Sequence, residues 1–294
     1  MSDTTAKSLQ DLPLEDRTSA QGLCPDMARS YNAYFRSGLY EARYPGPNRR
    51  TLRLTLDHLP QGGRFLDYGA GTGRYSLSLL SVRPDLQGVA ADISPVARET
   101  LTSRASQTGL SARLAVVDGS RAAIEAAARD AGPFDLCLLA FGVLGHVAGR
   151  PARLALQDTL RRVLAPGGVM LIGLPNARRR FTAEQRRLEA CGEARTDTGG
   201  EAGFGPGDVL YSRQASDEAI PLYYHLYSPA EIERDLADSG FTLSWLGAES
   251  ILSESLVCRM PSLLGRLDGW ACHRLPLDWA YGFLVIARPN QARV

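Results

Sequence analysis

Residues 64–73, with the sequence Arg-Phe-Leu-Asp-Tyr-Gly-Ala-Gly-Thr-Gly, constrain the fold of this chain more than any other feature. They have the pattern of a short apolar strand that ends in an acid, then a loop with glycine at every second position, then a helical run over residues 74–82. Glycine allows the backbone to approach a ligand closely because it has no Cβ atom. A loop that leads into a helix also points backbone N–H groups at such a ligand. The segment therefore predicts a nucleotide-type binding loop.

The spacing of the glycines indicates which nucleotide this loop binds. Gly69, Gly71 and Gly73 follow a G-x-G-x-G pattern, whereas dinucleotide-binding folds favour G-x-G-x-x-G. Asp67 stands two residues before the first glycine, and its carboxylate would repel a diphosphate. S-adenosyl-L-methionine (SAM) carries a sulfonium and an ammonium group but no phosphate. The loop is therefore predicted to bind this cofactor, with Asp67 and the three glycines in contact with it.

Strand and helix patterns alternate along the middle of the chain. Strands are predicted at residues 65–67, 87–92, 113–117, 134–141 and 169–174, and helices at 74–82, after Ser94-Pro95, at 121–129 and at 152–164. The run at 134–141 is continuously apolar, which is typical of a parallel strand buried on both faces. A further helix at 230–239 and strands at 241–245 and 279–288 follow. The alternation predicts an α/β fold with a doubly wound, mostly parallel sheet.

The remaining segments divide the chain into a core and additions. We expect a flexible N-terminus at 1–22, a helical cover at 23–60, the SAM-binding core at 61–175, a lid or substrate insertion at 176–225, and the C-terminal part of the core at 226–294. The cover contains helical patterns at 26–40 and 49–59. Residues 176–224 and a second insertion at 250–278 show no regular pattern and are predicted to be irregular, which in a compact domain points to a functional role.

Composition excludes several classes of protein. The net charge of +1 gives no overall field toward nucleic acid or membrane. The five cysteines are scattered without a C-x-x-C pair, which favours reduced thiols in the cytoplasm over a zinc site or disulfides. Since there is no apolar run of about 18 residues and no apolar signal region, we expect no membrane span and a cytoplasmic location.

The Asp67-x-Gly69-x-Gly71-x-Gly73 segment resembles the first motif, D/E-x-G-x-G-x-G, of the class I SAM-dependent methyltransferases. Residues 164–168, Leu-Ala-Pro-Gly-Gly, are also similar to the turn that precedes the fifth strand in that family. The resemblance implies a Rossmann-like sheet of seven strands with a reversed final strand. It also implies that SAM is the methyl donor of an enzyme of the EC 2.1.1 type.

Further residues are predicted to contact the cofactor. Asp92 follows the second strand, nineteen residues after Gly73, where a carboxylate can accept hydrogen bonds from the ribose 2′,3′-diol. Its alternative role is to cap the next helix near Ser94. The resemblance places Asp118 at the adenine amine, with a plain turn as the alternative, and places Phe141 beside the methyl donor. The neighbouring residues Ala70, Ile93 and Gly119 complete the predicted contacts.

Candidate acceptor-side residues lie in four segments outside the glycine loop. His146, Tyr224 and His225 are candidate bases, and Tyr223 is a candidate for stacking on a substrate, although a packed aromatic hinge would explain the 223–227 cluster equally well. Arg178, in a run of three arginines, could bind an anionic acceptor or face solvent. Tyr31 and Tyr34 of the cover could contact a substrate, or could pack in the core.

The predicted function is methyl transfer from SAM to an oxygen or nitrogen of a small-molecule acceptor, which could be anionic. An alternative comes from residues 71–75, Gly-Thr-Gly-Arg-Tyr, and 223–225, Tyr-Tyr-His, which resemble segments of the tRNA wobble-uridine carboxymethyl methyltransferases. In that case tRNA would be the partner. A further alternative is a non-catalytic SAM-binding module. No metal-ligand cluster is evident in the sequence.

Overall fold

A sheet of seven strands forms the centre of the molecule in the computed structural model, which describes residues 6–7, 24–182, 185, 205–215 and 218–290. The strands of the chain are β1 (Ala6–Lys7), β2 (Arg64–Tyr68), β3 (Gln87–Asp92), β4 (Leu114–Asp118), β5 (Phe134–Leu139), β6 (Leu164–Pro175), β7 (Asp208–Ala215), β8 (Glu218–His225), β9 (Phe241–Ser250) and β10 (Gly282–Pro289). The central sheet has the order β4-β3-β2-β5-β6-β10-β9. Strands β2 to β6 pair in parallel, while β10 is antiparallel to both of its neighbours. The predicted fold and its reversed final strand are confirmed.

Helices cover both faces of this sheet. They are α1 (Met27–Arg36), α2 (Leu39–Arg43), α3 (Arg49–Asp57), α4 (Ser76–Val82), α5 (Pro95–Gln107), α6 (Arg121–Ala131), α7 (Arg150–Val163), α8 (Pro229–Asp238), α9 (Glu254–Arg259) and α10 (Leu264–Arg274). Side-chain N-caps begin several of them, since Asp26, Asn48, Ser94 and Ser228 each accept a hydrogen bond from a backbone N–H of the first turn. Every helix in these ranges is too short or too polar to cross a lipid bilayer.

Alternate residues of the central strands build two apolar layers. Leu66 and Cys137 pack in one layer, and Phe65 and Leu138 pack in the other, all four fully buried. This follows from the period of two along a strand, combined with helices on both faces. The sheet is therefore rigid and dry, and only the loops at its carboxyl edge are free to form a site.

Two segments predicted to be irregular contain regular elements in their described parts. Strands β7 and β8 form an antiparallel hairpin over residues 208–225, and β1 pairs with β7 to give a second, three-stranded sheet. The prediction failed there because polar residues such as Ser212 and Arg213 are buried within β7, which disguises the alternation. Residues 250–278 contain α9 and α10. Their apolar side chains Leu256, Leu263, Leu267 and Trp270 are exposed, so no apolar face marked them as helical.

The predicted flexible N-terminus lies outside the described residues, apart from the backbone of residues 6–7. The same holds for most of the first half of the predicted lid. The predicted helix at 26–40 is divided into α1 and α2, because Gly38 adopts a positive φ of 71° between them.

Candidate active site

The glycine loop lies at the carboxyl end of β2 and is held there by backbone hydrogen bonds. The N–H groups of Gly69 and Ala70 donate to the carbonyl of Ala91 at 2.7 and 3.1 Å. Gly69 has a φ of 73°, and a Cβ atom built on it would lie 2.5 Å from a methyl carbon of Val143. A residue with a side chain would therefore displace the loop after β5. This close approach accounts for one of the glycines on which the sequence prediction rests.

One cleft opens beside this loop, with a volume of about 770 Å³ that includes space open to solvent. Its walls are mainly aromatic, and its polar groups come from a few side chains. Six of the ten residues predicted to contact the cofactor line it: Gly69, Ala70, Gly71, Asp92, Ile93 and Phe141. The structure adds residues that the sequence analysis missed: Phe35, Tyr40, Tyr68, Arg74, Tyr75, Ala140, Val143 and Val147.

Asp67 does not line the cleft. Its Oδ2 atom accepts hydrogen bonds from the backbone N–H of Ser76 at 3.1 Å and from the Ser76 hydroxyl at 2.5 Å. Burial raises the pKa of Asp67 to about 6. The carboxylate therefore ties the end of β2 to the start of α4, and the geometry argues against the direct contact with a cationic ligand that the sequence suggested. Gly73, also outside the lining, packs against Leu101.

Asp92, at the end of β3, braces the glycine loop and faces the cleft. Its Oδ2 atom accepts from the N–H of Gly71 and its Oδ1 atom accepts from the N–H of Ser94, both at 2.8 Å. Burial raises the pKa of Asp92, although these two backbone donors oppose that effect. Each carboxylate oxygen keeps a second lone pair for a ligand hydroxyl. The residue thus supports the next helix start and can also accept from a diol.

Asp118 and Gly119 lie beside the cleft rather than in its lining. Asp118 is exposed, and its Oδ1 atom accepts from the N–H of Ser120 at 2.8 Å, which is the turn role given above as its alternative. Gly119 approaches Ile93, because a Cβ built on it would lie 3.0 Å from Ile93 Cγ2. Ile93 is 44% exposed and lines the cleft, so it offers an apolar surface for a flat base.

Arg74 places a guanidinium in the wall of the cleft. The guanidinium lies 4.2 Å from the ring centroid of Phe141 and 5.1 Å from that of Tyr75. Its Nη1 atom donates weakly to the carbonyl of Gly46 at 3.5 Å and to Cys258 Sγ at 3.9 Å. Its Nε atom has no hydrogen-bond partner, and it forms no ion pair with any carboxylate in the described part of the chain. The only sequence signal was its position directly after the last glycine of the loop.

His146 is a neutral hydrogen-bond acceptor in the opposite wall. Its Nδ1 atom lies 2.8 Å from the carbonyl oxygen of Tyr223, which can only accept, so Nδ1 carries the hydrogen and Nε2 keeps its lone pair. The ring stacks on Tyr224 at 4.2 Å and meets Tyr31 edge-on at 5.3 Å. Burial, with smaller contributions from Arg180 and Arg213, lowers the pKa of His146 to about 3. Of the three candidate bases, only His146 faces the cleft.

The structure contradicts His225 and Tyr224 as bases and Tyr223 as a substrate contact. His225 Nδ1 lies 2.6 Å from Asp208 Oδ1 and its Nε2 lies 2.8 Å from Glu231 Oε1. Burial alone would lower the pKa of His225, but these two hydrogen bonds outweigh it and raise the pKa. Both ring nitrogens are therefore held by carboxylates, and neither is free to accept a proton from a substrate.

Tyr223 and Tyr224, which precede His225, also belong to the packed aromatic hinge. The Tyr223 hydroxyl donates to Asp208 at 2.5 Å, and the Tyr224 hydroxyl accepts from Arg180 at 3.2 Å. Each of these tyrosines is only 2% exposed, and neither lines the cleft. The alternative of a packed aromatic hinge therefore describes this cluster.

Two further predicted substrate contacts also lie elsewhere. Tyr34 packs against Tyr40 at a centroid distance of 5.7 Å, within an apolar cluster that includes Ile220. Arg178 forms an ion pair with Asp278, and both side chains are exposed. Tyr31 of the same prediction does line the cleft.

The doubly wound sheet, with its glycine loop at the carboxyl end of β2, is the fold of a class I SAM-dependent methyltransferase. A family model described as a methyltransferase domain matches residues 40–244, and the chain belongs to that family. A search of curated protein sequences returns no similar protein. SAM is therefore the cofactor, and the chain is an enzyme of the methyltransferase type.

Solved structures share the fold at low sequence identity. A SAM-dependent methyltransferase from Methanosarcina mazei is 16% identical, with a TM-score of 0.57 over 81% of this chain and 98% of that one. The CcbJ methyltransferase from Streptomyces caelestis is 16% identical, with a TM-score of 0.56 over 83% and 91% of the two chains. The glycopeptide N-methyltransferase MtfA, complexed with sinefungin, is 15% identical, with a TM-score of 0.52 over 83% and 87%.

The residues of the cleft fit this cofactor. Asp92 offers acceptors for a ribose diol, and Arg74 offers an unpaired cation for a carboxylate. The aromatic rings of Tyr31, Tyr40 and Phe141 offer faces to a sulfonium.

Proposed function

We propose that this enzyme transfers the methyl group of SAM to an oxygen or nitrogen atom of a small-molecule acceptor. The acceptor would bind between the helical cover and the carboxyl ends of β2 and β5. The observation that carries this proposal is the neutral imidazole of His146, whose Nε2 lone pair lies in the wall of the same cleft as Asp92 and Arg74.

Three side chains each recognise a different part of the cofactor. Asp92 accepts from the ribose hydroxyls with the lone pairs that Gly71 and Ser94 leave free. Arg74 pairs with the carboxylate of the methionine moiety, which gives its buried guanidinium the anion that it lacks. Ile93 provides the apolar surface against which the adenine packs.

The chemistry that the cofactor supplies when bound is an electrophilic methyl group on a positively charged sulfur. The chain contributes mainly position, because a methyl transfer of this kind disperses charge and needs the two reactants aligned in a dry site. Tyr31, Phe35 and Tyr40 of the cover line the cleft, so their rings reduce the space that water can occupy beside the reactants. The attacking atom belongs to a hydroxyl or a neutral amine. Its proton becomes acidic as the bond to the methyl group forms, and His146 Nε2 accepts that proton.

A small molecule fits this site better than tRNA does. Apolar and aromatic side chains form most of the cleft lining, and the chain has a net charge of only +1. The segment on which the tRNA resemblance rests, residues 223–225, is only 2% exposed at each position and belongs to the hinge. The relative MtfA is an N-methyltransferase, which supports nitrogen as one possible acceptor atom.

Turnover of His146→Gln tests the proposal. A panel of small hydroxy- and amino-aromatic acceptors is incubated with SAM, and formation of S-adenosylhomocysteine (SAH) is measured. With any acceptor that the wild type methylates, we expect kcat to fall about a hundredfold in the variant, because general-base catalysis is lost, while SAM affinity stays the same. His58→Gln is the matched control, since His58 Nδ1 also contacts a backbone carbonyl, that of Leu54 at 2.9 Å, outside the cleft.

Three outcomes would contradict the proposal. An unchanged kcat in His146→Gln would remove this residue from the chemistry. Turnover of a tRNA transcript but of no small acceptor would favour the RNA-directed alternative. Tight SAM binding without turnover of any acceptor would favour the non-catalytic module.

A further inference from the structure

A second cleft in the molecule has no role in the function described so far. It lies between α2, the C-terminal part of β7 and α9. Its polar lining residues are Tyr34, Arg43, Arg213, Gln214, Ser255 and Arg259, and Leu39 and Ala42 of α2 complete the lining. Three of its side chains carry guanidinium groups, and none of the described lining residues is an acid. Resting on the proposed function, we infer that the methyl acceptor carries an oxyanion, a carboxylate or phosphate, and that this group binds to these arginines.

Arg213 carries a buried guanidinium group with an unsatisfied hydrogen-bond donor, and it is the main argument for an anionic ligand. It is only 6% exposed, its Nη1 atom has no hydrogen-bond partner, and it forms no ion pair with the acids of the described ranges. Its guanidinium lies 5.0 Å from the ring centroid of Tyr211, so a cation–π contact offsets part of the cost of burying its charge. An unpaired charge is costly to bury. An oxyanion at this position would satisfy the free N–H group with a charge-assisted hydrogen bond.

The other two arginines surround the same space from separate elements. Arg43 is the last residue of α2, and its Nε atom donates to the Tyr44 hydroxyl at 2.9 Å, which orients the guanidinium. Arg259 is the last residue of α9 and is exposed at the entrance. The planar fork of arginine matches the geometry of carboxylate and phosphate oxygens, so three forks around one space favour an oxyanion over a neutral group.

This cleft is separated from the cofactor cleft by little more than one aromatic layer. Tyr34 lines the arginine cleft, Tyr40 lines the cofactor cleft, and their ring centroids are 5.7 Å apart. The two clefts are also electrostatically linked, because Arg213 adds to the effect of burial in lowering the pKa of His146. An acceptor with its anionic group at Arg213 would reach the cofactor cleft by displacing the ring of Tyr34 from this layer.

Binding of simple anions to the SAH-saturated enzyme tests this inference. The probes are benzoate, phenyl phosphate and the neutral benzamide, and binding is measured by calorimetry and ligand-observed NMR. We expect benzoate or phenyl phosphate to bind and benzamide not to bind, and the stronger of the two anions identifies the source of the oxyanion. Arg213→Gln should weaken anion binding about tenfold or more. Arg53→Gln, whose side chain is 85% exposed on α3, is the control and should change nothing.

A second variant keeps the test decisive if Arg213→Gln does not fold. Arg259→Gln alters an exposed side chain and should weaken anion binding about threefold, as expected for a solvated ion pair. Equal binding of benzamide and benzoate, or unchanged anion affinity in both variants, would overturn the inference. SAM binding is titrated in parallel: if the wild type does not bind SAM, the proposed function fails, whereas intact SAM binding without anion binding refutes only the arginine site.

Discussion

Arg74 places a positive charge among the aromatic side chains of the cleft wall. Its guanidinium lies 4.2 Å from the ring centroid of Phe141, and its Nε atom has no hydrogen-bond partner within the described part of the chain. Aromatic faces offset only part of the cost of burying such a charge. The methionine carboxylate of the cofactor would complete the pairing. Arg74 therefore gains its ion-pair partner only when the cofactor binds.

Replacing Arg74 by glutamine should weaken the binding of SAM and SAH by about tenfold or more, because a charge-assisted hydrogen bond is lost. 5′-Methylthioadenosine lacks the amino-acid end of the cofactor, so its affinity should stay within about twofold. Calorimetry with the three ligands measures the difference. An equal loss of affinity for all three ligands would show that Arg74 maintains the structure of the cleft and does not pair with the carboxylate of the cofactor.

Individual site residues could be predicted from the sequence where their role follows from the local spacing of strands, glycines and acids. Asp92 and the glycines of the loop could be found because their spacing relative to the strands sets their geometry. Tyr40 and Tyr68 could not, because their place in the wall depends on how the cover and the sheet pack together. The charge of Asp67 and its place in the glycine motif predict a contact with the ligand, but its hydrogen bonds to Ser76 cannot be seen in the sequence.

The hairpin of β7 and β8 is attached to α8 by a buried network of charges. His225 bridges Asp208 at the start of β7 and Glu231 in the first turn of α8. The hydrogen bonds to His225 outweigh burial and lower the pKa values of both acids. Arg153 lies near enough to oppose the protonation of His225, but the two carboxylates prevail.

This network should make stability depend on pH. Because the folded pKa of His225 is raised, its contribution is fully present below the unfolded value of about 6.5 and is lost as pH rises through the folded pKa. The lowered pKa values of the two acids mean that their contribution is present above about pH 4.5 and is lost as pH falls. The contribution of this network should therefore be largest near pH 5 to 6, by these reference values.

His225→Gln should lower the free energy of unfolding by about 3 kcal/mol at pH 6, because it breaks a buried ion pair. The difference from the wild type should shrink as pH rises above the folded pKa of His225. Urea denaturation between pH 5 and 9 measures it, with His58→Gln as control. A difference that is the same at every pH would mean that His225 is neutral in the folded protein.

The elements missing from the sequence prediction share a cause. In β7 the polar residues Ser212 and Arg213 are buried, and in α9 and α10 large apolar residues are exposed. Both break the link between hydrophobic pattern and burial on which such predictions depend. The core strands could be predicted because they are apolar on both faces and separated by clear turns.

Across the whole molecule, the cover is connected to the loops that hold the cofactor. Asn32 of α1 accepts from the Ser94 hydroxyl at 2.6 Å, beside Asp92. Glu41 of α2 accepts from the Thr72 hydroxyl inside the glycine loop and pairs with Arg104 of α5 at 3.1 Å. Tyr31, Phe35 and Tyr40 of the same cover form the roof of the cleft. The cover and the cofactor should therefore stabilise each other.

Glu41→Ala removes two of these connections. We expect SAH to dissociate about threefold faster, while the free energy of unfolding changes by less than about 1 kcal/mol, because the ion pair is half exposed. Stopped-flow fluorescence measures the dissociation rate. Glu125→Ala is the matched control, since Glu125 pairs with Arg121 within α6, away from the cleft. An unchanged rate in Glu41→Ala would mean that these contacts do not hold the roof.

The overall topology could be predicted because alternating strands and helices leave few ways to build a sheet. The position of the cover over the cleft could not, because it depends on single hydrogen bonds between distant residues such as Asn32 and Ser94. The same is true of the second cleft, which β7 forms together with α2 and α9.

Calorimetric titration of the wild type and of Asp92→Ala with SAM and with NAD tests the central claim most directly. The account predicts a saturable, one-site heat with SAM, a loss of affinity of about tenfold or more in Asp92→Ala, and no binding of NAD. Binding of NAD in place of SAM, or SAM affinity that is indifferent to Asp92, would contradict it.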